Sequence, residues 1–276
     1  MKKFFQILLI VTTLSFLAGV VPLIVKAQVY QPHVGQGGKD VIWVPTPDEQ
    51  TKAMLDLAEV SAADYVIDLG SGDGRIVIAA AERGATALGI EYNPDMVELS
   101  REKAEKAGVS DRATFIKADL FEFDFSKASV ITMYLLPDLN LKLRPKLLYL
   151  EPGTRIVSHA FNMDKWEADR VITSGGRSLY LWIIPAKVDG TWTWTENSKT
   201  ATLDLDQTFQ MLEGSITFEG NTMPAMNMQL RGDRIAFTCG NQYYSGRVTP
   251  SGIQGTIQLQ DKNLDWIATR KLQAEK

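Results

Sequence analysis

Three acidic residues, each at or near the end of a short apolar run, are the side chains best placed to hold a ligand, and a glycine-rich turn follows the first. In Val66-Ile67-Asp68-Leu69-Gly70-Ser71-Gly72-Asp73-Gly74-Arg75 a buried strand ends in that turn and opens a helix. Gly70, Ser71, Gly72 and Gly74 let backbone N–H groups approach a ligand closely, at the carboxyl edge of a parallel sheet, where ligands of such folds bind. Glu91 ends the next apolar run about twenty residues on, where nucleotide-binding units contact ribose hydroxyls. The plain alternative for Glu91 is a solvated strand-end carboxylate. Asp119, in Lys117-Ala118-Asp119-Leu120, follows the third run. There it can accept a purine amino group with Leu120 against the ring, or cap a turn.

Two ligand classes compete for this turn. The dinucleotide pattern G-x-G-x-x-G uses its third glycine for tight helix-to-strand packing, and counting from Gly70 that place holds Arg75. The spacing here is G-x-G-x-G. S-adenosylmethionine has no pyrophosphate to seat on the helix N-terminus, and Asp68 just before the turn suits its cationic amino-acid end. The turn therefore reads as an S-adenosylmethionine site.

Short apolar runs at 65–69, 87–90, 113–116, 130–136 and 155–158 alternate with helical segments at 75–83, 94–107 and 139–150. This alternation predicts a mostly parallel sheet covered on both faces. Gly84, Gly108 and Gly153 fall where helix C-caps are expected. Thr46-Pro47-Asp48-Glu49 reads as a capping box, with a helix starting at Pro47. Residues 170–173 and 178–185 read as a last strand pair of the same sheet. From Val188 on, short alternating segments with frequent turn signals predict a separate small antiparallel barrel or sandwich. The expected organisation is a leader over 1–27, a linker over 28–40, a nucleotide-binding domain over 41–186 and a β domain over 187–276. Gly190-Thr191-Trp192 is similar to the Gly-x-Trp start of lipocalin-like barrels, which gives the β region the option of an apolar ligand. Plain core aromatics are the alternative for Trp192 and Trp194.

Composition narrows the partners. The net charge is −4 and no long Lys/Arg run is present, which argues against nucleic acid. Cys239 is the single cysteine and reads as a buried core residue, and two distant histidines, His33 and His159, predict no metal site. Lys2 and Lys3 precede apolar residues 4–25, and Val25-Lys26-Ala27 fits a cleavage site. The expectation is an exported chain with a cleaved signal, or one anchored in the membrane by residues 4–25, the folded part lying outside the cytoplasm. Because S-adenosylmethionine is made in the cytosol, an extracytoplasmic binding or scaffolding protein that keeps the fold without catalysis is the alternative.

Val44-Pro45-Thr46-Pro47, the glycine turn through Ile76-Val77, Gly89-Ile90-Glu91-Tyr92-Asn93-Pro94, Tyr134-Leu135-Leu136-Pro137 and Ser158-His159-Ala160-Phe161 together resemble the ATP-synthase c-subunit lysine methyltransferase family and its bacterial relatives. The resemblance spans residues 41–186. It implies an α/β, seven-stranded Rossmann-like methyltransferase sheet, S-adenosylmethionine as cofactor and a protein lysine as acceptor. Thr46 joins Asp68, Gly70, Ser71, Gly72, Gly74, Glu91, Asp119 and Leu120 as a cofactor-binding candidate. Tyr134 is the candidate for lining the acceptor pocket and orienting the amine, or else a packed aromatic. His159 is the candidate for relaying a proton or binding substrate, or else a structural histidine. The apolar Tyr134-Leu135-Leu136-Pro137 stands where amino-methylating DNA enzymes carry an Asn-Pro-Pro-Tyr type tetrapeptide, which argues against a nucleobase acceptor. It suits a helical or membrane-embedded protein segment or a small lipophilic acceptor.

Overall fold

The computed structural model describes residues 30–196, 198–259 and 262–271. The expected leader lies outside them. Among the described residues no helix is long and apolar enough to cross a membrane.

The first sheet takes strands β1 (Tyr65–Leu69), β2 (Thr86–Glu91), β3 (Ala113–Lys117), β4 (Val130–Met133), β5 (Arg155–His159), β6 (Arg170–Ser174) and β7 (Arg177–Ile183), in the order β3-β2-β1-β4-β5-β7-β6. β3, β2, β1, β4 and β5 pair in parallel; β7 enters antiparallel between β5 and β6. The five parallel strands therefore end at one edge, and β7 begins there. Every residue of β4, and all but Tyr65 of β1, are buried, which accounts for their mainly apolar sequence, broken only by Asp68 and Thr132. α1 (Asp48–Leu57), α2 (Arg75–Glu82), α3 (Pro94–Lys106) and α4 (Pro137–Leu147) cover the faces. One core packs Met54, Leu55, Val77 and Val97 against β1 to β3, and another packs Leu143, Leu147, Trp166 and Trp182 on the other side.

Several local expectations change. α1 begins at Asp48, and Pro47 precedes it with no side-chain cap, so the capping box does not form. The Thr46 hydroxyl turns instead to His159. The apolar run 130–136 is a strand only as far as Met133; residues 134–136 leave the sheet and Pro137 starts α4. Gly84 and Gly108 follow the last helical residues closely, whereas Gly153 lies in the turn into β5.

The second sheet is all antiparallel, with nine strands: β8 (Gly190–Glu196), β9 (Lys199–Thr208), β10 (Met211–Phe218), β11 (Asn221–Pro224), β12 (Met226–Arg231), β13 (Arg234–Cys239), β14 (Gln242–Thr249), β15 (Gly252–Leu259) and β16 (Lys262–Arg270). Their order is β11-β10-β9-β8-β16-β15-β14-β13-β12. The short β11 has no counterpart in the strands read from sequence. The sheet curls until it nearly closes, with β12 lying against β10, and Ala225 N extends the β10–β11 hairpin by donating to Gly214 O at 2.9 Å. Trp194, Phe237, Tyr244 and Trp266 contact one another in its interior, and Trp192 and Cys239 are buried there too. This barrel packs on the first sheet. Trp166 donates from Nε1 to Gln210 Oε1 at 3.0 Å and stacks on Phe209, and Ala186 N donates to Gly232 O at 2.8 Å.

Candidate active site

The carboxyl edge of the first sheet opens into a cavity of about 340 Å³. Residues 36–46 line one side, Asp68 and the glycine turn the floor, and residues 90–93 and 118–120 one end. Tyr134, Leu135, Leu136, Phe161 and Arg177 close the other end. Of the candidates read from sequence, Thr46, Asp68, Gly70, Ser71, Gly72, Glu91, Asp119, Leu120 and Tyr134 meet in this one cavity. Gly74 and His159 do not line it and stand behind the wall.

The turn is shaped by left-handed backbone at Gly72 (φ 53°) and Gly74 (φ 80°). A Cβ at Gly72 would stand 2.6 Å from Trp43 Nε1, and one at Gly74 would stand 2.8 Å from the Ser100 side chain and the Phe115 ring. Gly72 thus serves the cavity and Gly74 the packing of α2 against α3. Glu91 holds the turn in place: Oε2 accepts from Gly72 N and Oε1 from Asn93 N, both at 2.9 Å. Arg75, in the position a dinucleotide fold gives to glycine, forms a two-pronged pair with Asp73 at 2.8 and 2.9 Å and donates to Thr46 O at 2.9 Å. Lys103 completes the set at 2.6 Å. Burial alone would raise the Asp73 carboxyl, but Arg75 and Lys103 outweigh it and hold it below the usual range.

Asp68 is 3 % exposed and accepts a hydrogen bond from Thr132 Oγ1 at 2.7 Å. Burial pushes its pKa up to about 7; the Thr132 bond opposes this, and the charges of Glu91 and Asp73 add to it. A buried carboxylate without a cation is costly, and a ligand ammonium would relieve that cost. The Ser71 hydroxyl, also on the cavity wall, is buried without a partner among the described residues. A carboxylate lacking its cation, an orphan hydroxyl and a glycine cradle fit the methionyl end of S-adenosylmethionine. At the other end Asp119 accepts from Phe121 N at 2.9 Å and forms an ion pair with Lys39.

Behind the opposite wall, His159 Nδ1 lies 3.2 Å from Thr46 Oγ1 and its ring 4.0 Å from that of Tyr134, which in turn stacks on Phe161. Burial, then the charge of Arg177, lowers the His159 pKa to about 4. Asn140 of α4 ties down the following turn, its Nδ2 lying 3.3 Å from Ser158 Oγ, Phe161 O and Asn162 O. Ala160 in that turn has φ 67°, strained backbone held by its surroundings. Lys39, Trp43, Asn140 and Arg177 are the contributors that sequence reasoning missed. A lysine in an apparently unstructured linker and a tryptophan just past its end gave no signal, and Asn140 sat unremarked within a helical stretch.

Known proteins resemble this part of the chain. Residues 68–170 match the ANTKMT methyltransferase domain. A protein-lysine N-methyltransferase of Saccharolobus islandicus is 41 % identical over 162 residues, which cover 56 % of this chain and 96 % of that protein. The chain belongs to this methyltransferase family. The ATP synthase c-subunit lysine N-methyltransferase of Homo sapiens is 37 % identical over 134 residues, 48 % of this methyltransferase and 57 % of the human protein. The crystal structure of an RNA methyltransferase from Salinibacter ruber in complex with S-adenosyl-L-homocysteine superposes with a TM-score of 0.52 at 50 % identity, covering 52 % of this chain and 96 % of that one. The methyltransferase is thus an S-adenosylmethionine-dependent enzyme with the seven-stranded sheet that its sequence predicts, and the scaffold without catalysis gives way to it.

Proposed function

We propose that the methyltransferase modifies the side-chain amine of a protein lysine. The observation that carries this reading is the pocket end formed by Tyr134, Leu135, Leu136 and Phe161, with Thr46 and His159 beside it. The lysine specificity in the names of the archaeal and human relatives agrees with it.

S-adenosylmethionine, when bound, supplies an electrophilic methyl group. The chain must then align a neutral amine with it. A lysine amine has a pKa of about 10.4 in water and must lose its proton. The apolar wall of Leu135, Leu136 and Phe161 disfavours the ammonium form by desolvation, and the Arg177 guanidinium at the same end disfavours it by charge. Tyr134 and Thr46 present hydroxyls that hold the neutral amine in line. His159, neutral at physiological pH and weakly basic, orients these two side chains and leaves the proton to solvent.

RNA is the competing acceptor, because the Salinibacter ruber protein carries that name. A net charge of −4 and the exposed apolar rim of Ile42, Val44, Tyr92 and Leu136 favour a protein. Incubating a cell extract with the purified chain and methyl-labelled S-adenosylmethionine separates the two. Label removed by protease and resistant to ribonuclease supports lysine methylation; the reverse sensitivity refutes it.

We also propose that the folded part lies outside the cytoplasm, on the strength of Lys2 and Lys3 ahead of apolar residues 4–25. Fractionation of cells producing the full chain tests this, and recovery in the cytosolic fraction would contradict it.

A further inference from the structure

Ahead of α1, residues 35–43 make a tight hairpin. Gly35 N donates to Trp43 O and Trp43 N to Gln36 O, both at 2.9 Å, and Gly38 N donates to Val41 O at 3.0 Å. Gly37 pairs with Ile42 as an isolated bridge. This strap belongs to no sheet, yet residues 36–44 all line the cofactor cavity.

Two anchors hold it. At its base the Trp43 indole covers Gly72, so close that no Cβ would fit there. At its tip Lys39 Nζ pairs with Asp119 Oδ2 and lies 5.3 Å from the centre of the Tyr92 ring. The side chains of Lys39 and Asp119 are 34 % and 18 % exposed, so the pair is only partly open to solvent. Asp40 lies 3.5 Å from Lys39, and the charge of Lys142 also acts on Asp119. The anchors fall on the turns after β1 and β3, and the strap crosses the end of β2 between them. Asp119 is thereby fixed at both oxygens, Oδ1 by Phe121 N and Oδ2 by Lys39.

We propose that Lys39 is a cofactor-positioning residue, which by pairing with Asp119 holds residues 36–44 over the nucleoside half of S-adenosylmethionine. The inference rests on the cofactor assignment and is independent of the acceptor. It gives a function to a segment that, up to residue 40, reads as a linker. The strap must lift at Lys39 for the cofactor to exchange, while Trp43 reports that motion by its fluorescence.

The test is calorimetry on the full chain with two ligands, S-adenosylhomocysteine and 5′-methylthioadenosine, which lacks the amino-acid half. Lys39→Ala is expected to weaken both by about tenfold, the worth of one charge-assisted hydrogen bond, and Lys39→Arg to restore most of the loss. Stopped-flow Trp fluorescence should show faster release from Lys39→Ala. Wild-type affinity for both ligands in Lys39→Ala would overturn the inference. So would a loss confined to S-adenosylhomocysteine, which would move the role of Lys39 to the methionyl end, or an equal loss in Lys39→Arg.

Discussion

Thr46 Oγ1 lies 3.2 Å from His159 Nδ1, which joins the segment before α1 to the end of β5 and braces the Tyr134 end of the cavity from behind. His159 is 2 % exposed and its Nε2 has no partner among the described residues. The folded state therefore favours the neutral ring, with a pKa of about 4 against 6.5 in the unfolded chain. Stability from this preference is complete above pH 6.5 and is lost as pH falls towards 4. His159→Gln should abolish that dependence. Melting temperatures of the two proteins should differ more at about pH 7.5 than at about pH 4.5, and parallel curves would refute the assignment.

Asp68 has the opposite sign. With its pKa raised to about 7, the ligand-free protein favours the protonated carboxyl, and the stability this gives is lost as pH rises through 7. A ligand ammonium needs the ionised form. Affinity for S-adenosylhomocysteine should therefore drop from about pH 8 to about pH 6 in the wild type. Asp68→Asn should bind at least about tenfold more weakly at about pH 8, where an ion pair to the buried carboxylate is lost, and show little of this pH dependence. Calorimetry at both pH values is the check.

The glycines of the turn separate in their effects. Gly74→Ala places a Cβ against Ser100 and Phe115 at a left-handed position and should cost about 2 kcal/mol of stability. Gly72→Ala is strained at its own left-handed position and also displaces the exposed strap through Trp43, so it should weaken cofactor binding as well as stability. Thermal unfolding and calorimetry on both variants distinguish the two roles.

Arg75→Ala leaves the nearly buried Asp73 with Lys103 alone and should cost about 3 kcal/mol in urea unfolding. Adding Asp73→Asn to Arg75→Ala should recover part of that loss, because the uncompensated charge is removed. An unchanged midpoint in Arg75→Ala would show that the pair is not structural.

The parallel sheet was legible because its inner strands are buried on both faces and so read as mainly apolar runs, and the glycine turn because its function needs residues without side chains. Arg75 marked the difference from a dinucleotide site for a reason the structure makes explicit: a guanidinium fills the space and binds both Asp73 and the Thr46 carbonyl. What stayed hidden depends on contacts between segments far apart in sequence. Thr46 carries every local sign of a helix cap, but the buried His159 competes for its hydroxyl. The strap has no periodicity, since it is held by Lys39 to Asp119 and Trp43 on Gly72, and neither pairing leaves a mark in the local sequence. β11 is four exposed residues long, too short to show alternation.

The most direct measurement is mass spectrometry of proteins incubated with the purified chain and S-adenosylmethionine bearing a deuterated methyl group. Deuterated methyl-lysine that forms with the wild type and vanishes with Asp68→Ala is the predicted result. Label found in RNA, with no labelled lysine in any protein, would contradict it.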